Sequence, residues 1–154
     1  MAGPAGTRAK IELAQDVARF ANGTCDAMLV IGFDETRAAG STQLGHVRPV
    51  PLSDLDIDRY RNAIDERVVP PVDGLTIERV DLGKGFGLLV IGVPRQPPEL
   101  QPYLVHGAIV GDKTEGAFIS IVRRRGEGSI TISAKQIHAY LVAGRASLRA
   151  GPEQ

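Results

Sequence analysis

Tryptophan is missing from this chain of 154 residues, and cysteine occurs once, at Cys25. A single thiol makes no intramolecular disulfide, and one Cys among three scattered histidines is a poor start for a zinc site. Cys25 reads as a small, partly buried residue rather than a catalytic thiol. Net charge is also absent, because 18 basic and 18 acidic side chains cancel. No global field therefore draws the molecule to nucleic acid or to an anionic membrane, and any basic site must be local. No apolar run reaches the roughly 18 residues that span a bilayer, and Met1 to Gly6 lacks the basic start and apolar core of a secretion signal. The expected address is the cytoplasm, with no membrane partner. The sequon Asn22-Gly23-Thr24 then has no glycosylation machinery to meet.

What is present is enough for one core: hydrophobic residues make up 43% of the chain, in a length that suits one domain over residues 1–150 with its core about 9–144. From Thr7 to Asn22, Ile11, Ala14, Val17, Ala18 and Ala21 recur at helical spacing, and Asn22-Gly23 ends the helix. The continuous run Ala27 to Phe33 predicts a strand buried on both faces, after which Asp34 and Glu35 return to water. Glycines and prolines between Arg37 and Leu52 predict a loop with at most a short strand near Gln43 to Val47. Ser53 and Asp54 offer an N-cap for a second helix through Ile57, Tyr60, Ile64 and Val68, halted by Pro70-Pro71. Leu75, Ile77 and Val80 alternate with polar residues, and Gly83 to Gly85 turns this strand into Phe86 to Val93, a hairpin. Pro94 to Gly116 reads as an excursion around one short strand, Tyr103 to Val110, and Phe118 to Val122 as the last clear strand. Ser133 and Gln136 form a capping box for a third helix, with Ile132 and Ile137 placed as its hydrophobic staple and Tyr140 and Leu141 continuing the stripe. Residues 145–154 read as a flexible tail. The class expected is α+β, a mixed and largely antiparallel sheet with about three helices packed on it.

Several catalytic patterns fail on inspection. Gly83-Lys84-Gly85-Phe86-Gly87 lies between two strands instead of before a helix N-terminus, where amides would face a phosphate. Gly111 to Gly116 has the end glycines of a Walker loop, but Ala117 and Phe118 replace the required Lys and Ser or Thr. There is no Gly-x-Ser-x-Gly elbow, and His46, His106 and His138 share no evident geometry for a triad. What survives is a local charge imbalance. Between Asp112 and Arg149 there are seven Lys and Arg against three acids, a balance of +4 in a neutral chain. Arg123 and Arg125 alternate on a strand end and share a face, while Arg124 points away. Arg123, Arg125, Lys113 and Lys135 are the candidate phosphate contacts. A solvated strand terminus or internal salt bridges would account for the same residues.

Ala18-Arg19-Phe20-Ala21-Asn22 followed by Met28-Leu29-Val30-Ile31-Gly32-Phe33-Asp34-Glu35 resembles the signature of the Schlafen/AlbA-type domain, a nucleic-acid-binding family. Gly87 to Pro94 is similar to the family's central strand ending in Val-Pro. Arg123-Arg124-Arg125-Gly126 leading to Ser133, Ile137 and Leu141 is similar to its Arg-x-Gly strand and closing helix. The likeness covers roughly Glu12 to Leu141. It implies a DNA- or RNA-binding or regulatory module, or alternatively a homo-oligomeric interaction module that has lost nucleic-acid contacts, with Pro94 to Pro102 as a partner surface. The family's nucleases hold a divalent metal with three carboxylates, two of them on a leading Glu-x-Lys strand. Only Asp34 matches, and Glu12 and Glu35 are the remaining acids nearby. The expectation is therefore a binding module without a cofactor, with metal-dependent RNA cleavage at Asp34 as the further alternative.

Overall fold

The computed structural model describes residues 6–38, 41–125, 128–131 and 133–150, leaving the side chains of 34–38, 41–44, 116–117, 124–125, 128–131, 147 and 150 outside the description. In chain order the elements are α1 (Thr7–Ala21), β1 (Ala27–Ile31), β2 (Phe33–Ala38), β3 (Ser41–Val47), β4 (Val50–Pro51), α2 (Ile57–Asp65), β5 (Val68–Val69), β6 (Thr76–Gly83), β7 (Phe86–Val93), β8 (Leu104–Val110), β9 (Lys113–Ser120), β10 (Val122–Arg125), β11 (Gly128–Thr131) and α3 (Ala134–Ala150). The class is α+β, and every strand pairing among the described residues is antiparallel. No described helix is long and apolar enough to cross a membrane.

Two sheets share the core. In the first, β7 is central, with β6 along one edge and β1 and β4 sharing the other. Alternate residues of β7 point one way, so Leu89, Ile91 and Val93 are all buried beneath α1 and α2. In the second, β8 lies between β5 and β9, and Val68 and Val105 pair across it on the buried face. Helix α1 serves both sheets because its apolar positions repeat every three or four residues: Ile11, Ala14, Val17, Ala18 and Ala21 are all buried. At Gly107, in a bulge of β8, φ is +121° and an added Cβ would run into Ile11, so glycine lets the strand approach the helix closely.

The end of α1 is held by a side-chain clamp. Asn22, the C-cap, is 6% exposed. Its Nδ2 donates to the carbonyls of Tyr103 (3.1 Å) and Val122 (3.0 Å), and its Oδ1 accepts from the Tyr103 amide (2.6 Å). The helix terminus is thus tied to the starts of both β8 and β10. A second buried amide, Gln96, donates to the carbonyls of Asp73 and Pro94 and accepts from the Asp73 amide and the Tyr103 hydroxyl. Gln101 donates to the carbonyls of Ala21 and Gly23. The proline-bearing excursion after β7 is therefore fastened to the core at two points.

Several local expectations are corrected. The strand from Ala27 stops at Ile31 because Gly32 has φ +108°, where a Cβ would strike Leu88. It is half-buried rather than buried on both faces: Leu29, Val30 and Ile31 are partly covered and Met28 is 64% exposed. Asp34 and Glu35 lie within β2, and much of the predicted loop after Arg37 belongs to the paired strands β2 and β3. Asp56, not Ser53 or Asp54, caps α2, its Oδ1 accepting from the amides of Asp58 and Arg59. The helix stops at Asp65, before Pro70-Pro71, since Val68 and Val69 are taken by β5. Strand β9 is longer than predicted, and the β10–β11 hairpin follows it. Residues 145–150 are not a tail but the last turns of α3. The staple partner Ile132 lies outside the described residues.

Replacing Asn22 by Ala should destabilise the protein by about 3 kcal/mol, since the Tyr103 amide and two carbonyls lose their partner in the interior. Asn22→Asp should cost more, because it sets a carboxylate against two carbonyls. Urea unfolding midpoints check both.

Burial of the Tyr103 ring, with the Asp73 carboxylate adding to it, raises the hydroxyl's pKa above 10.0. The folded state then holds this proton more tightly than the unfolded chain. The resulting stability is complete below about pH 10 and is lost as pH rises through the folded pKa. Unfolding midpoints followed from neutral into the alkaline range should fall, and Tyr103→Phe should flatten that fall.

Candidate nucleic-acid interface

Helix α3 is where the local excess of positive charge takes shape. It begins with the predicted capping box: the Gln136 amide donates to Ser133 Oγ (3.4 Å), and Gln136 Oε1 accepts from the Ser133 amide (3.1 Å). From Ala134 to Ala150 it contains no Asp or Glu. Lys135, His138, Arg145 and Arg149 follow steps of three, seven and four, which places them on one flank of the helix. All four are exposed. Among the described residues no carboxylate pairs with Lys135, Arg145 or Arg149, whereas Arg8, Lys10 and Arg19 are each paired with an acid. At about 1.5 Å per residue the flank is roughly 20 Å long, enough to run past several phosphates.

The four sequence candidates do not gather at one place. Lys135 is on the α3 flank. Arg123, on β10 opposite Ile130, is exposed and donates from Nη1 to the Tyr140 hydroxyl at 3.3 Å, so it meets α3 on the flank away from the basic stripe. Lys113 starts β9 opposite Val110. It stands at the other end of the eight-residue β9 from β10, roughly 20 Å away at about 3.3 Å per residue. The backbone of Arg125 pairs with Gly128, and its side chain is outside the description. Arg145 and Arg149 were the residues missed. Their signal was available in the acid-free stretch after Gly128, whose cations keep helical spacing, but a tail beginning at Arg145 hid it.

Other sites offer less. The Gly83-Lys84-Gly85 turn joins antiparallel β6 and β7, and its Gly83 amide is already taken by Asp81 Oδ1 at 2.7 Å, so it forms no phosphate cradle. Asp34 and Glu35 fall in β2, with side chains outside the description. Glu12 lies on α1, where Arg8 holds it at 3.0 Å beside a cavity of about 280 Å³ also lined by Gln15, Asp16 and Val122. Among the described residues no three His, Cys, Asp or Glu side chains are grouped as metal ligands. Cys25 is exposed, not partly buried, because it lies in the turn between α1 and β1. No family model, no curated protein and no solved structure matches this chain.

The described side chains of α3 are exposed along its length, so its order leans on local terms such as its cap. Ser133→Ala should lower α3 stability by about 1 kcal/mol. Amide exchange in residues 134–150 should quicken accordingly, while the global urea midpoint stays in place.

Proposed function

We propose that the chain is a nucleic-acid-binding module that grips the phosphate backbone through the basic flank of α3. One observation carries this reading. Lys135, Arg145 and Arg149 are aligned and exposed, and no acid of the described residues neutralises them. Lysine and arginine side chains of this kind neutralise phosphates and release counterions without reading bases. Arg123 meets α3 through Tyr140 on the opposite flank, so it and Arg125 are not part of this grip. Lys113 is too far along β9 to share a phosphate run with them. The resemblance of Glu12 to Leu141 to the Schlafen/AlbA-type domain supports the same class. The metal-dependent nuclease reading rests on Asp34, whose side chain lies outside the described residues.

A second reading, self-association, is favoured by a different observation: the apolar side chains of α3 are also uncovered. The two are compatible, because the basic and apolar stripes occupy different flanks of one helix.

Fluorescence anisotropy with a labelled duplex across a salt series tests the first reading. With about three phosphates neutralised, log K should fall against log salt with a slope near −2.7, roughly a fortyfold loss from 50 to 200 mM salt. The double variant Arg145→Glu, Arg149→Glu should remove most of both affinity and slope. Salt-independent binding, or none, overturns the reading.

A further inference from the structure

Residues 22 and 23 are each fixed by a separate demand of the fold, and together they form a chemically labile pair. Asn22 is needed because its carboxamide donates to the carbonyls of Tyr103 and Val122 and accepts from the Tyr103 amide. Gly23 is needed for another reason. A Cβ there would stand 2.9 Å from the Phe20 carbonyl oxygen, which is helix backbone rather than a movable side chain. An asparagine followed by glycine is reactive because nothing on the glycine shields its nitrogen from the asparagine side chain, and its backbone turns freely. The only other asparagine, Asn62, precedes Ala63 inside α2.

We propose that Asn22 is a deamidation site that its hydrogen-bonded clamp keeps inert, and that opening of the α1 terminus converts it irreversibly. In the reaction the Gly23 nitrogen attacks Cγ of Asn22. A Cγ–N bond forms, the Cγ–Nδ2 bond breaks, and the amide proton of Gly23 leaves with Nδ2 as ammonia, so that a five-membered succinimide remains. Water then adds to one of its two carbonyls. Cleavage at Cγ gives aspartate, and cleavage at the main-chain carbonyl carbon gives isoaspartate, in which the chain runs through the former side chain. No oxidant or reductant takes part.

Three features of the folded chain oppose the first step. The Gly23 amide is occupied, donating to the Phe20 carbonyl at 2.9 Å. The Asn22 carboxamide is held by its three hydrogen bonds in a residue only 6% exposed, so it cannot swing toward Gly23. At ψ 2° the Cβ branch of Asn22 is also turned away from the Gly23 nitrogen, and closing the ring requires a rotation about Cα–C that undoes the helix cap. All three are lost together when the end of α1 opens, so the reaction follows the open fraction. The product cannot re-enter the clamp. A carboxylate has no proton to donate to the Tyr103 and Val122 carbonyls, and isoaspartate adds a carbon to the main chain at the cap. An opening that is otherwise reversible thereby becomes one-way. The site is independent of nucleic-acid binding.

The test incubates the full chain in mildly alkaline buffer with and without guanidinium chloride, reductant being present to exclude Cys25 disulfides. After an acid quench, trypsin releases Asn22 within Phe20–Arg37 and Asn62 within Asn62–Arg67, and mass spectrometry follows both peptides. In guanidinium the Asn22 peptide should become an aspartate and isoaspartate pair, with the Asn62 peptide at least about tenfold slower. In native buffer Asn22 should react more than about a hundredfold more slowly than in guanidinium, the ratio being set by the open fraction. Gln101→Ala frees the carbonyls of Ala21 and Gly23 without altering the reacting groups, and should speed the native reaction about fivefold. Once guanidinium is removed, deamidated molecules should stay unfolded or refold with a lower unfolding midpoint than the parent. Equal Asn22 rates with and without guanidinium, an unchanged native rate in Gln101→Ala, or deamidated chain that regains the parent's midpoint would each overturn the proposal.

Discussion

A single buried carboxamide holds the two halves of the fold in register. Asn22 closes α1 while bonding to the start of β8 and to β10, segments about 80 and 100 residues further along the chain. Both sheets pack on the helix that Asn22 ends, and its side chain ties that helix end to both by two donated hydrogen bonds and one accepted. Aspartate cannot donate to the two carbonyls, and glutamine would carry its amide a methylene too far. Gln96 and Gln101 repeat the device on the Pro94 to Pro102 segment. An interior with no tryptophan and few aromatics is thus specified by amide geometry as much as by packing.

Where local periodicity and local chemistry agreed, the sequence was legible. The α1 stripe, the Gly83 to Gly85 hairpin and the Ser133 to Gln136 cap were all readable, because each is written within a few consecutive residues. Elements set by distant partners were not. Val68 and Val69 continue the apolar spacing of α2, yet β8 recruits them as a strand. Strands β2 and β3 are mostly polar, with Gly45 inside β3, the composition of a loop, and only their mutual pairing makes them strands. Cap choice failed for a related reason. Ser53, Asp54 and Asp56 all suit an N-cap, and the buried position of Leu55 decides which of them faces the helix amides.

The candidate site was half legible. The charge excess after Asp112 can be counted from residues alone. Its division between two flanks of α3, and the separation of Lys113 from Arg123 along β9, depend on helix length and strand register. The apolar stripe of α3 was misleading in another way. Ile137, Tyr140 and Leu141 read as a helix closing its own core, yet all three are exposed, because periodicity fixes which side of a helix is apolar and not what lies against it.

The open edge of β6 has one more consequence. Among the described residues this strand pairs only with β7, so eight residues from Thr76 to Gly83 have an unpaired row of amides and carbonyls, the usual template for runaway strand addition. Glu78, Arg79 and Asp81 crowd it with charge of both signs, and the register shift between Asp81 and Gly83 spoils the straight ladder an incoming strand would need. The fold therefore discourages growth sideways, where stacking has no natural end.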